Sequence, residues 1–348
     1  MTPGDIIQSI RELTHGKVTK TDISALLYRH NCFYLLSKLP NSPYINKMSL
    51  NQALNRIAIQ ERYRSCRTLF QQLSIPYAVI KGAVLSNVAY GNPFIRTSGD
   101  IDILIRRQDS DIIKKQLVSC GFIQGRVTDQ GIIPFTRKEV LFQTALTHQT
   151  APYIKQTNNP LCPYINIDIN MDILWGESLE KSNMDLVLSL SEETSLFNIT
   201  FRKLTPEMEF ISLCLHHYKD MNSIYLLTYG SLKLGLFCDI YYYLINVKPN
   251  AQIIKDICKT LNVGRYIYVC IYQAMQIFDD SRLEQYLNAL DSAKDIILLN
   301  TFGLTNAERK AWGISLPERL FHSNLPSYIE SLLNQDEKEK IQINRTFM

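Results

Sequence analysis

No stretch of this 348-residue chain stays apolar for long enough to cross a bilayer as a helix. The N-terminus, Met1 to Arg11, carries polar and acidic side chains early and has no apolar signal core. These absences lead to the expectation of a cytoplasmic protein with no membrane partner. The eight cysteines (Cys32, Cys66, Cys120, Cys162, Cys214, Cys238, Cys258 and Cys270) form no C-x-x-C pair and no adjacent Cys/His ligand set. A structural zinc site is therefore not expected. In a reducing compartment the thiols read as small buried hydrophobes rather than as disulfide partners. Charge of one sign is scarce too: 37 Lys and Arg stand against 33 Asp and Glu, a net +4 with a pI near 8.5. A dedicated nucleic-acid binder shows a concentrated basic stripe, whereas short clusters such as Arg106-Arg107 read as solvated surface. Nucleic acid stays possible as a partner without being indicated. Internal repeats and low-complexity tracts are also missing.

What remains is an ordinary folded composition, 46% hydrophobic and 20% charged, long enough for two or three modules with extended cores. Residues 22–39 place apolar side chains at helical spacing up to Pro40, and Ser49 suits the cap of a longer helix reaching about Leu73. Then the texture changes. Tyr77 to Ile80 is a dense apolar run ended by Lys81-Gly82, as expected of a buried strand. Residues 83–89 suit a helix that Tyr90-Gly91-Asn92-Pro93 breaks, and Asp100 to Ile105 reads as the next strand. An amphipathic helix is expected over 109–120 and strands over 122–127, 139–144 and 165–174, with 151–163 as a loop outside the core. From Lys181 onward the pattern is helical. Thr205-Pro206-Glu207 opens a helix through Tyr218, and further helices are expected over 232–244, 251–261, 265–278 and 282–290. The expected organisation is an N-terminal helical segment 1–74, an α/β core 75–180 and a C-terminal helical domain 181–348.

The chemistry concentrates between Tyr77 and Ile105. A strand that ends at Gly82 can turn tightly and expose its amides, and the helix that follows presents unpaired N–H groups suited to phosphate. Lys81 stands beside that turn, where a cation meets a triphosphate. The next strand carries Asp100 and Asp102 two residues apart, which puts both on one face. Two close carboxylates repel unless a cation lies between them, and magnesium combines one or two carboxylates with substrate phosphate oxygens.

These residues resemble the DNA polymerase β-like nucleotidyltransferases, whose glycine turn precedes a D-x-D strand. More narrowly they resemble the bacterial "uncharacterised nucleotidyltransferase" family, whose pattern is a strand ending in Lys-Gly, a helix carrying Tyr, then Arg, then D-I-D-x-L. Here those elements are Lys81-Gly82, Tyr90, Arg96 and Asp100-Ile101-Asp102-Ile103-Leu104. Leu26-Leu27-Tyr28-Arg29-His30 with Leu35-Leu36 resembles the family's N-terminal helix. Leu204-Thr205-Pro206-Glu207, His216 and Phe237-Cys238-Asp239-Ile240 resemble its C-terminal landmarks, so the likeness covers about residues 20 to 245. Abortive-infection toxin nucleotidyltransferases share the Lys-Gly and D-x-D layout.

The resemblance implies an α+β fold, a small mixed-sheet, polymerase β-like core flanked by N- and C-terminal helical segments. It implies transfer of a nucleoside monophosphate from a nucleoside triphosphate, ATP included, to an acceptor hydroxyl, with a two-metal magnesium site at Asp100, Asp102 and a third acid. The family strand reads acid, aliphatic, His, Trp. Asp172-Ile173-Leu174-Trp175 matches it with Leu174 in place of His, which favours Asp172; Asp168, four residues earlier and on the same face, is the alternative. Lys81, Gly82 and the amides from Ala83 onward are expected on the phosphates, with Ala83 standing where many superfamily members have Ser. Arg96 is expected either on phosphate or paired with an acid of the site. The acceptor is open among a small molecule, a peptide and a protein. Two other classes stand beside this one: a nucleotide-binding module without turnover, and a toxin acting on RNA or protein. His216, His217 and Asp239 read as structural groups, and Tyr241-Tyr242-Tyr243 as burial rather than base stacking.

Overall fold

The computed structural model of the protein describes residues 2–17, 22–39, 42–146, 149–176, 178 and 180–347. The chain divides into two compact units. One comprises Met1–Lys38, Cys214–Tyr241 and Asn262–Met348, and the other Leu39–Leu213 and Tyr242–Leu261.

The second unit is built on an eight-stranded mixed sheet. Its strands are β1 (Tyr77–Ile80), β2 (Asp100–Ile105), β3 (Ile123–Thr128), β4 (Gly131–Pro134), β5 (Tyr153–Gln156), β6 (Tyr164–Asn170), β7 (Ser191–Leu196) and β8 (Ile199–Leu204). They lie in the order β4-β3-β5-β6-β2-β1-β8-β7. β2 is antiparallel to β1 and parallel to β6, which places it at the middle of the sheet. Along β2 and β6 the side chains alternate. Ile101, Ile103, Ile165, Ile167 and Ile169 pack in one core with Ile59, Tyr63, Cys66 and Phe70 of the helix Ile45–Gln72. Each such isoleucine contributes on the order of 1.5–3 kcal/mol by leaving water. Asp100, Asp102 and Asp168 have the opposite parity and fall on the other face. A register slip of one residue would drive these carboxylates into the apolar core, so burial of the isoleucines fixes where the acids stand.

β1, β2 and the helix Gly82–Tyr90 form as the apolar pattern requires. Four expectations are corrected. Residues 139–144 are not a strand but part of the helix Arg137–Leu146. Thr136 and Glu139 close a capping box there: the Glu139 amide donates to Thr136 Oγ1 at 3.3 Å, and the Thr136 amide donates to Glu139 Oε2 at 2.7 Å. The stretch 151–163 is not all loop, because Tyr153 and Ile154 are buried in β5, paired between β3 and β6. The chain after Lys181 is not helical throughout. β7 and β8 form a hairpin whose turn residues Phe197 and Asn198 both take positive φ, 56° and 60°, the pairing a tight two-residue hairpin turn needs. Finally, β6 ends at Asn170, short of the expected Leu174. Two helix boundaries also move. Ser49 lies inside the helix Ile45–Gln72 rather than at its cap, and residues 22–39 split into Ser24–Arg29 and Phe33–Leu36 at Asn31, whose φ is 60°. Pro40, expected to stop that segment, lies outside the described residues.

The first unit is helical, with one two-stranded ladder between β9 (Thr301–Phe302) and β10 (Lys310–Ala311). Its helix Pro3–Thr14 is held to Gly264–Phe278 by Arg11, whose guanidinium donates to the carbonyls of Gln276 at 2.8 Å and Ile277 at 3.0 Å. The expected helix at Thr205-Pro206-Glu207 is present as Pro206–Asn222. Every cysteine but Cys120 is buried. Among the described residues no helix is long and apolar enough to cross a membrane.

Candidate functional site

β1 delivers the chain into a turn of unusual geometry. Lys81 has φ 59° and ψ −149°, a region that costs about 1–3 kcal/mol for any residue with a Cβ. Gly82 follows at φ 48°, and a Cβ there would sit 3.1 Å from Ser98 Oγ, so the position suits glycine on both counts. The first bond of the ensuing helix is Leu85 N–H to Lys81 C=O, 3.0 Å. The amides of residues 82–84 therefore precede the helical ladder, and no side chain caps them. A strained lysine beside an uncapped helix start is an arrangement able to receive an anion.

Opposite that turn stand the carboxylates. Asp102 pairs in register with Ile80 on β1 and with Asp168 on β6. Asp102 and Asp168 thus stand side by side on one face, with Asp100 close enough that the charges of these acids act on one another. Asp102 is 7% exposed; its Oδ1 accepts from Lys81 Nζ at 3.1 Å and from Asn170 Nδ2 at 3.0 Å. Asn170 is itself fixed by Gln149, whose Nε2 donates to Asn170 Oδ1 at 2.8 Å. Burial, with the charges of Asp100 and Asp102 adding to it and Lys81 opposing, pushes the Asp168 carboxyl up to about 7. Asp100 is raised as well, by burial first and then by Asp102, against Lys81 and Arg62. One ammonium does not balance three crowded acids. The site is an all-oxygen donor set short of positive charge, which fits a hard divalent cation such as magnesium.

The segment from Gly91 to Gly99 is braced from several sides. Ser86 Oγ donates to Asn92 C=O at 2.7 Å and accepts from Arg96 N–H at 3.1 Å. From the long helix Ile45–Gln72, Asn55 Nδ2 donates to Phe94 C=O at 3.2 Å and Arg96 C=O at 2.9 Å, while Arg62 donates to Ser98 C=O. Ser98 Oγ in turn donates to Asp100 C=O at 2.9 Å. The loop that carries the strand of acids is thus held by a helix distant in sequence.

Asp100, Asp102, Asp168, Lys81 and Gly82 are brought together. Asp172 is placed differently: past the end of β6, its carboxylate accepts from the amides of Leu174 at 2.9 Å and Ser182 at 3.3 Å and so holds a turn. Ala83 is buried in the core, and Arg96 is fixed through its backbone as described. Asn170, Gln149, Arg62 and Ser98 were not singled out from sequence. Asn170 had a usable signal, since it shares parity with Asp168 on β6. Gln149 and Arg62 had none, because only the fold brings them near. The three tyrosines are buried, Tyr241 stacked on Phe278 with ring centroids 4.2 Å apart.

No curated protein sequence matches this chain. A solved antigenic nucleotidyltransferase-like protein from Paracoccidioides brasiliensis aligns over 69% of this chain and 93% of its own, at 15% identity and a TM-score of 0.36, too loose a match to carry weight. The sequence model of one family, in contrast, matches residues 18–279, well over half of the chain. By that match, the protein belongs to the uncharacterised nucleotidyltransferase family.

Proposed function

We propose that this protein transfers a nucleoside monophosphate from a nucleoside triphosphate to an acceptor hydroxyl and releases pyrophosphate. The observation that carries the reading is the trio Asp100, Asp102 and Asp168 on adjacent strands, facing a strained Lys81-Gly82 turn. Magnesium held by these three carboxylates would neutralise triphosphate charge and polarise the α-phosphorus. The residues themselves do the rest. Lys81 and the amides of residues 82–84 receive the β- and γ-phosphate oxygens, which stabilises the departing pyrophosphate. Asp168, beside the place the acceptor would occupy, would take the proton of the attacking hydroxyl as its oxygen bonds to the α-phosphorus and the bridging P–O bond breaks. Asn170 keeps Asp102 oriented. Asp172, favoured by the family pattern, is left a structural role in this reading. The acceptor class extends over small molecules, peptides and proteins, and ATP is one donor among four to try.

The test is titration of each of the four ribonucleoside triphosphates with magnesium into the folded protein and into the Asp100→Asn/Asp102→Asn variant. Magnesium-dependent binding of one triphosphate, absent in the variant, supports the reading. A folded protein that binds none of the four overturns it. A second reading, a nucleotide-binding module without turnover, is favoured by Ala83, which brings no hydroxyl after Gly82 and packs its methyl in the core. Binding without pyrophosphate release across an acceptor screen selects that second reading.

A further inference from the structure

A second group of side chains able to act as ligands lies on the part of the helix Pro206–Asn222 that belongs to the first unit, from Cys214 onward. His217 is 1% exposed, and its Nε2 lies 3.0 Å from Oδ2 of Asp239, itself 3% exposed. A carboxylate only accepts, so this contact places the ring proton on Nε2 and leaves the Nδ1 lone pair bare. Nδ1 is buried and has no hydrogen-bond partner among the described residues. Leaving a buried acceptor unpaired costs about 1–3 kcal/mol, so a cation able to accept the Nδ1 lone pair would be stabilising here. His216 and Asp220 stand on the same helix, and one ligand atom from each of the three residues lies within 4.8 Å of the others. An ion pair along one helical turn, His216 Nε2 to Asp220 Oδ2 at 3.3 Å, with Lys219 Nζ 3.8 Å from Asp220 Oδ1, accounts for those two side chains. It does not account for His217 Nδ1.

We propose that His216, His217 and Asp220 bind a borderline divalent cation of the zinc class, with Asp239 as the positioning residue that sets the His217 tautomer. A carboxylate on the far nitrogen of a histidine is the usual way a ligating imidazole is oriented and made more basic. Two imidazoles with one carboxylate select zinc, cobalt or nickel over magnesium, which prefers oxygen alone. The side chains of His216 and Asp220 are 26% and 20% exposed, so water can complete the coordination. This site is separate in ligands and in metal preference from the carboxylate trio.

Cobalt(II) is the probe, because imidazole ligation gives it visible absorption that magnesium cannot mimic. The full chain, stripped with a chelator, is expected to bind one cobalt per molecule, competed by zinc and not by millimolar magnesium. His217→Gln and the partly exposed His216→Gln are each expected to lose the band while circular dichroism shows the fold retained. Asp239→Asn is expected to keep the stoichiometry and bind 10–100-fold more weakly. Asp100→Asn/Asp102→Asn is expected to leave the band unchanged, which separates this test from that of the triphosphate site. Absence of a cobalt band in the native protein overturns the proposal, and so does a band that survives in His216→Gln.

Discussion

The carboxylate trio and the group around the histidine pair gather three candidate ligands each, by opposite routes. Asp100 and Asp102 come from β2 and Asp168 from β6, and only the parallel pairing of those strands sets Asp168 beside Asp102. His216, His217 and Asp220 come from a single helix, where Asp220 lies four residues after His216 and three after His217 and so shares a side with each. The environments differ too. The strand site crowds like charges around one ammonium and raises the proton affinities of Asp100 and Asp168, whereas the helix site balances imidazoles against Asp220 and Asp239. A site built by register depends on the whole sheet, and a site built by helical spacing needs mainly its helix and one partner side chain. The first therefore can be damaged from afar, while the second is sensitive chiefly to its own residues.

The largest separation between the two is expected from Asp100→Asn/Asp102→Asn, which should lower triphosphate turnover by roughly 10³-fold or more, read as pyrophosphate release, and leave cobalt binding intact. The converse variant, Asp239→Asn, is expected to weaken cobalt 10–100-fold and to leave the KM for triphosphate unchanged. A change in that KM would show the two sites to be coupled.

Next in size is a pH effect. The Asp168 carboxyl lies near 7 in the folded protein and near 3.8 when free. Between those values the folded state holds a proton that the unfolded chain has released, so stability from this group is full at low pH and is lost as pH rises through about 7. In metal-free protein Asp168→Asn is thus expected to raise Tm at pH 8 and to change it little at pH 4, a difference of about 1–3 kcal/mol after allowance for solvent screening. Thermal melts in chelator at the two pH values check it. Equal shifts at both would mean that Asp168 is neither desolvated by burial nor held near its neighbours' charges. The smallest effect is expected from Gly82→Ala, which forces a Cβ against Ser98 Oγ at positive φ and should cost about 1 kcal/mol, measured by urea unfolding, with a rise in triphosphate KM.

Much of the strand site was legible because its signals are local. Two apolar runs, a Lys-Gly turn and a D-x-D spacing specify strand, turn, helix and strand without reference to anything distant. The placement of Asp172 was less so. Sequence pattern pointed to Asp172 through Trp175, yet β6 stops at Asn170, and the alternation that would keep Asp172 on the face of Asp168 stops with it. The Arg137–Leu146 helix was misread because apolar spacing over a few residues does not separate helix from strand, and the decisive Thr136–Glu139 box lies at its very start.

By itself the sequence determined the face on which each acid of β2 would stand, the glycine at the turn and the helices of the C-terminal half, since all of these follow from spacing along a regular backbone. The tertiary structure alone decided which acid joins Asp102, which helix braces the loop through Asn55 and Arg62, and that His217 keeps one nitrogen unpaired beside Asp239. Those outcomes depend on strand pairing and on contacts between distant segments, and their energies arise only when burial brings the groups together.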